Sequence, residues 1–109
     1  MFILEREMNG AYVLKQAETT AERINGISEH VYSVAIDKQN NVYFGTSSGV
    51  YILNRGKIIA TKMNKINDDI KSIFIDKQDN VYFDTAHGFY VLKQKETMPT
   101  KINGINEHV

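Results

Sequence analysis

The stretch IDKQNNVYF occupies residues 36–44, and IDKQDNVYF occupies residues 75–83, a displacement of 39. The same displacement superposes Gly10, Gly49 and Gly88, each followed two residues later by a tyrosine: Tyr12, Tyr51 and Tyr90. It also superposes Asn25, Asn64 and Asn103. Aligned without a gap, residues 24–62 and 63–101 share 17 of 39 positions. Agreement of this extent is an internal repeat, and a repeat has to be read before any single element. A second layer lies above it. Residues 10–31 and 88–109 share 15 of 22 positions, so INGISEHV (24–31) returns as INGINEHV (102–109), as duplication of a pair of units would leave it.

One unit reads as four short strands. Val31–Ile36 is rich in β-branched and aromatic residues and ends at Asp37. Asp37-Lys38-Gln39-Asn40-Asn41 is a tight polar turn in which Asn can take the left-handed conformation. Val42–Thr46 is a second strand, Ser47-Ser48-Gly49 a second turn, and Val50–Leu53 a third strand. Asn54-Arg55-Gly56 turns the chain again, and Lys57–Lys62 makes a fourth strand. Short strands at this spacing predict an antiparallel meander. The second and third strands are apolar at consecutive positions, as in a sheet covered on both faces. The fourth strand becomes polar and holds Glu96, Thr97 and Pro99 in the last unit, which predicts a solvent-facing edge there. A four-stranded sheet covered on both faces, with a polar outer edge and a period near 40, is a β-propeller blade. An open solenoid of β-units is the rival, and no window sustains helical spacing.

The wording of the unit resembles a known repeat. Asn25-Gly26-Ile27, Val31–Asp37, Asn41–Thr46 and Gly49-Val50-Tyr51 are similar to the two-component regulator propeller repeat, whose pattern runs roughly "NGL…VYSI..D..GNLWIGT..GL". Tyr43 and Tyr82 stand at that pattern's tryptophan, Asn40 and Asp79 at its turn glycine, and Gly45-Thr46 becomes Asp84-Thr85 in the next unit. The resemblance implies a scaffold of blades from extracytoplasmic sensor regions of bacterial hybrid two-component systems, which bind carbohydrate-derived signals and pair across the membrane. It carries no catalytic residue to transfer.

The 109 residues amount to about 2.8 periods of 39. The expected division is a single module: a partial blade at 1–23, blades at 24–62 and 63–101, and the start of another at 102–109. Ile3-Leu4 aligns with Val42-Tyr43, so the chain opens on the second strand of a blade. Propellers close with four to eight blades, and two apolar faces would otherwise stand in water. Ring closure by self-association, as a homodimer with six blades or another ring-closing oligomer, is the expected remedy. A fragment of a longer array is the alternative.

Composition narrows the partners. Thirteen basic residues balance thirteen acidic ones and no long block of either sign occurs, which disfavours nucleic acid. Cysteine is absent, so disulfides and thiolate sites are excluded. No stretch reaches the roughly 18 apolar residues of a membrane-spanning helix, so no membrane insertion is expected, and Phe2-Ile3-Leu4 is too short for a signal-peptide core. The compartment is left open.

Successive turns of a meander alternate between two ends of the sheet. One end gathers His30, Asp69 and His108, which hold one repeat position in three units, together with Asp84 and His87. Carboxylate and imidazole from adjacent blades could bind a polar ligand or a divalent metal; solvated turn residues are the plainer reading. The Asp37–Asn41 and Asp76–Asn80 turns lack the alternating acids of a calcium loop. Tyr43, Tyr51, Tyr82 and Tyr90, with Phe44 and Phe83, could stack on sugars, but their strand positions predict packing between blades. No nucleophile motif, phosphate loop or cofactor signature is present. The expectation is a non-enzymatic module for ligand sensing or protein interaction, with carbohydrate or protein as ligand and no cofactor. A metal-dependent propeller lyase or hydrolase and an inactive fragment are the alternatives.

Overall fold

The structure, a computed structural model, describes residues 2–6, 10–14 and 22–103. It contains three antiparallel sheets and, among the described residues, no helix. The first sheet comprises β1 (Phe2–Arg6), β2 (Gly10–Leu14) and β3 (Glu22–Arg23). The second comprises β4 (Val31–Ile36), β5 (Val42–Thr46), β6 (Gly49–Leu53) and β7 (Thr61–Lys62). The third comprises β8 (Ile70–Ile75), β9 (Val81–Thr85), β10 (Gly88–Leu92) and β11 (Thr100–Lys101). Strand order follows chain order in each, so the second and third sheets are four-stranded meanders of the kind that forms a propeller blade.

Equivalent turns are built by equivalent chemistry. Asp37 Oδ1 accepts from the backbone N–H of Gln39 and Asn41 (2.9 Å each), while Oδ2 accepts from Asn41 Nδ2 (3.1 Å) and the Tyr43 hydroxyl (3.2 Å). Asp76 receives the same four bonds from Gln78, Asn80 (twice) and Tyr82. Asn40 and Asp79 supply the left-handed residue of each turn, at φ 65° and 64°. At the other end, Thr46 and Thr85 hydroxyls donate to the carbonyls of Gly49 and Gly88.

The sheets stack face to face. Ile24, Ile27, Val31, Val42, Phe44 and Leu53 form one core cluster. The second lies between the second and third sheets and joins Tyr43 and Val50 to Ile70, Val81, Phe83 and Leu92. The Tyr43 and Phe83 rings meet edge to face, centroids 6.4 Å apart. Full burial of side chains such as Phe44 and Phe83 contributes about 1.5–3 kcal/mol each. All five residues of β5 are buried, as a strand covered on both faces requires, whereas β9 alternates and β10 is mostly half-buried. The sheet that follows explains the difference: β5 has one, and no described element covers the far face of β9.

Three expectations need correction. The fourth strands are shorter than read, two residues each at β7 and β11. Pro99 is fully buried rather than facing solvent. In the second sheet its counterpart, Ala60, donates its N–H to Asn25 O at 2.7 Å, and Asn25 N–H returns a bond to Ile58 O. Proline has no N–H to give, and Lys65 stands where Gly26 had to be, since a side chain on Gly26 would strike Ala60 O. The two replacements act together to dispense with this tie in the third sheet. The first sheet also sits one residue off the expected alignment: Phe2 pairs with Leu14 as Val42 pairs with Leu53, which makes Ile3 the counterpart of Tyr43 and Leu4 that of Phe44.

Two of the left-handed positions exchange glycine for lysine between units. Gly26 (φ 97°) becomes Lys65 (φ 78°), and Gly56 (φ 80°) becomes Lys95 (φ 71°). A side chain costs energy in this region and none is needed at Gly56, which has open space around it. Lys95→Gly is expected to stabilise the protein by about 0.5–1 kcal/mol and Gly56→Ala to destabilise it by about the same amount, read as opposite shifts of the urea midpoint.

Candidate functional site

The turns divide between two ends of the stacked sheets. The connections before β4 and β8 share an end with the β5–β6 and β9–β10 turns: Ser48 Oγ donates to Glu29 Oε2 (3.2 Å), and Ala86 N–H donates to Asp69 O (3.0 Å). The β4–β5 and β8–β9 turns share the other end with the connections into β7 and β11. There Arg55 N–H donates to Asn41 Oδ1 and Gln94 N–H to Asn80 Oδ1.

At the first end, the five residues singled out from sequence are not drawn together as a set. The His30 ring lies against Tyr32, centroids 4.7 Å apart. The Asp69 side chain is exposed, while Asp84 is half-buried within β9, facing Ser72 and Phe89 in register. His108 lies outside the described residues. His87 does find a carboxylate, but it is Asp68: Nδ1 stands 3.0 Å from Asp68 Oδ2, which also accepts the His87 backbone N–H at 2.9 Å. Among the described residues no three side chains of metal-ligating type converge. An open depression of about 400 Å³ lies at this end beside Tyr32, Asp69, Ile70 and Lys71.

Asp68 had a signal in the sequence. It holds the repeat position of Glu29, and His87 that of Ser48, so the pair reproduces the bond from Ser48 to Glu29 one unit later. Burial works to raise the Asp68 pKa; the hydrogen bonds from His87, Asp69 and Thr85 outweigh it and hold the carboxyl below its ordinary value.

The better-formed cavity lies at the opposite end. A cleft of about 360 Å³ opens between the second and third sheets, within the size range of small-molecule sites. Tyr43, Ile52, Val81 and Leu92 give it an apolar floor. Gln39, Asn41, Asn54 and Gln94 give it an amide-rich wall, and Asp79, Lys93, Lys95, Glu96 and Thr97 complete the rim. The wall is held in place. Lys38 N–H donates to both Asp79 oxygens (3.2 and 3.3 Å) and Lys38 Nζ to Lys77 O, fastening the turn of one sheet to that of the next. At the floor, burial first and then the Asp37 carboxylate push the Tyr43 phenol well above its usual pKa, so it stays a neutral donor. Amides that donate and accept, above an apolar floor, suit an uncharged polar ligand.

Comparison with known proteins falls on the first complete unit. The family model described as two component regulator propeller matches residues 25–48. The two component regulator propeller match thus takes in the connection before β4, both strands of the β4–β5 hairpin and the turn into β6, including Asp37 and Tyr43. No curated protein and no solved structure matches the chain. No helix among the described residues is long and apolar enough to cross a membrane.

Because its folded-state pKa is depressed, Asp68 contributes stability that is present above about pH 4, the unfolded carboxylate value, and lost as pH falls through the lower folded-state value. Asp68→Asn is therefore expected to lower the denaturation midpoint at pH 6, with the gap to the parent protein closing below about pH 4.

Proposed function

We propose that this chain is a non-catalytic β-propeller module for binding or sensing, closed into a ring by self-association, which takes a small uncharged polar ligand at the cleft between consecutive sheets. The amide-walled cleft is the observation that carries the reading: the turns that bear its wall are fastened to one another by hydrogen bonds, and the Gln39, Asn54 and Gln94 side chains on them are exposed to a ligand. The propeller-repeat match supports a regulatory scaffold. The stacking of sheets through apolar faces supports a ring, since each end of the stack has a face that a further blade would cover.

A short carbohydrate suits this cleft. Its C–H faces can lie on Tyr43 and Leu92 while hydroxyls exchange hydrogen bonds with Gln39, Asn54, Gln94 and Thr97. The end carrying His30, Asp69, Asp84 and His87 is the competing surface for a protein or ligand. Calorimetric titration with a panel of neutral oligosaccharides separates the two. Saturable binding weakened at least tenfold in Gln94→Ala with Thr97→Ala, and unchanged in His87→Ala, is expected. Binding lost in His87→Ala instead would move the site to the other end, and no binding across the panel would leave a protein-interaction module.

A further inference from the structure

The tie between the outer strand of the second sheet and the segment that enters that sheet rests on a chemically labile pair. Asn25 is followed by Gly26, and both residues are exposed. The glycine is obligatory: its φ is 97°, and a side chain on it would strike Ala60 O. The same close approach that makes the tie thus leaves nothing to shield the Gly26 nitrogen from the carboxamide beside it. In the matching pair of the next unit, Asn64 is followed by Lys65, whose side chain supplies a shield.

The bonds around Asn25 hold its backbone and leave its side chain alone. Its N–H donates to Ile58 O at 2.9 Å, and its carbonyl accepts from Ala60 N–H at 2.7 Å. Among the described residues, no hydrogen bond engages the Asn25 carboxamide or the Gly26 N–H. The electrophile, Asn25 Cγ, and the nucleophile, the Gly26 nitrogen, sit on adjacent residues. Their reaction closes a five-membered ring, and proximity alone supplies much of the driving advantage.

We propose that Asn25 is a site of spontaneous deamidation whose product undoes the tie to Ile58 and Ala60. The Gly26 nitrogen forms a bond to Asn25 Cγ, the Cγ–Nδ2 bond breaks, and the Gly26 amide proton leaves with the side-chain amide as ammonia. Water then opens the resulting succinimide at either carbonyl, and no electrons change hands. Attack at Cγ gives aspartate. Attack at the main-chain carbonyl gives isoaspartate, in which the chain runs on through Cβ and Cγ.

In isoaspartate the oxygen that accepted from Ala60 becomes part of a free carboxylate, and the main chain is longer by one carbon. The paired bonds to residues 58 and 60 cannot both survive that change. Ile24, Ile27 and Ala60 flank the tie within one core cluster, so its loss loosens the packing there as well. The second sheet acquires by ageing the untied outer edge that the third has by sequence. Each event also adds one negative charge to a chain whose formal net charge is zero.

The dipeptides Asn9-Gly10 and Asn103-Gly104 each include a residue outside the described ones, so the test reads every asparagine separately. The full chain is held folded in mildly alkaline buffer at physiological temperature, beside a sample unfolded in urea. Peptide mapping by mass spectrometry follows the gain of one mass unit at each asparagine, with electron-transfer fragmentation to separate aspartate from isoaspartate. Hydrogen exchange at Ala60 is compared in fresh and aged protein. Asn25→Gln is the control, since it keeps the backbone bonds but would have to close a larger and slower ring; circular dichroism verifies its fold. Conversion at Asn25 at least tenfold faster than at Asn64 in the folded protein, with protection at Ala60 lost on ageing in the parent but kept in Asn25→Gln, is the expected result. An Asn25 that stays intact in the folded protein while it converts in urea would overturn the site. Conversion that leaves exchange at Ala60 unchanged, or an equal loss of protection in Asn25→Gln, would overturn its effect on the tie.

Discussion

A sheet with apolar side chains on both faces needs a neighbour on each side, and in this chain that requirement governs nearly everything else. It dictates that β5 be buried along its whole length, that Gly45 have no side chain, and that Tyr43 turn its hydroxyl inward to Asp37. The meanders themselves are held by local hydrogen bonds, but a meander alone is a marginal object in water. Stacking supplies what the ladder cannot. The second sheet contributes one face to each of the two core clusters, so stability accrues between units more than within them, as in other repeat proteins.

Much of this could be read from the sequence because the repeat displays the same constraint twice. Turn chemistry at Asp37–Asn41, strand composition at Val42–Thr46 and the period of 39 agree with the two meanders and their strand order. What escaped was set by contacts between units. Pro99 read as an edge residue, since proline is usually expelled from paired strands; here the partner bond it would have broken is dispensed with, and the ring is buried. The offset of β1 followed from a hairpin loop one residue longer than its counterparts, which a gap-free alignment cannot register. At the candidate site the repeat position of His30, Asp69 and His108 looked like the meeting point, yet the bonding carboxylate is its neighbour, Asp68. Adjacent residues in a connection point in different directions, and only the Glu29–Ser48 bond distinguishes them.

The titratable groups of the turns are engaged in construction. Asp37 and Asp76 each accept four hydrogen bonds, which leaves little capacity for a metal or substrate. Burial works to raise the Asp76 pKa, and the bonds from Asn80, Tyr82 and Gln78 prevail and hold it low. Fixed carboxylates of this kind make rigid walls, and rigid walls are what a binding cleft between blades requires. The division of labour is clear: the tight turns set geometry, and the side chains beyond them, Gln39, Asn54, Gln94 and Thr97, remain available to a ligand.

The proline at position 99 has a consequence for how the molecule comes apart. In the second sheet, the pair of bonds between Asn25 and residues 58 and 60 rivets the outer strand to the segment entering the blade. The third sheet, with Lys65 and Pro99 at the matching places, has no such rivet, and β11 is held to β10 by two residues of pairing and the bond from Ile102 N–H to Phe89 O. Local opening follows the weakest hydrogen bonding. Fraying therefore begins at β11 and spreads inward through the third sheet, while the second sheet, clamped on both faces, is the last to exchange its amides.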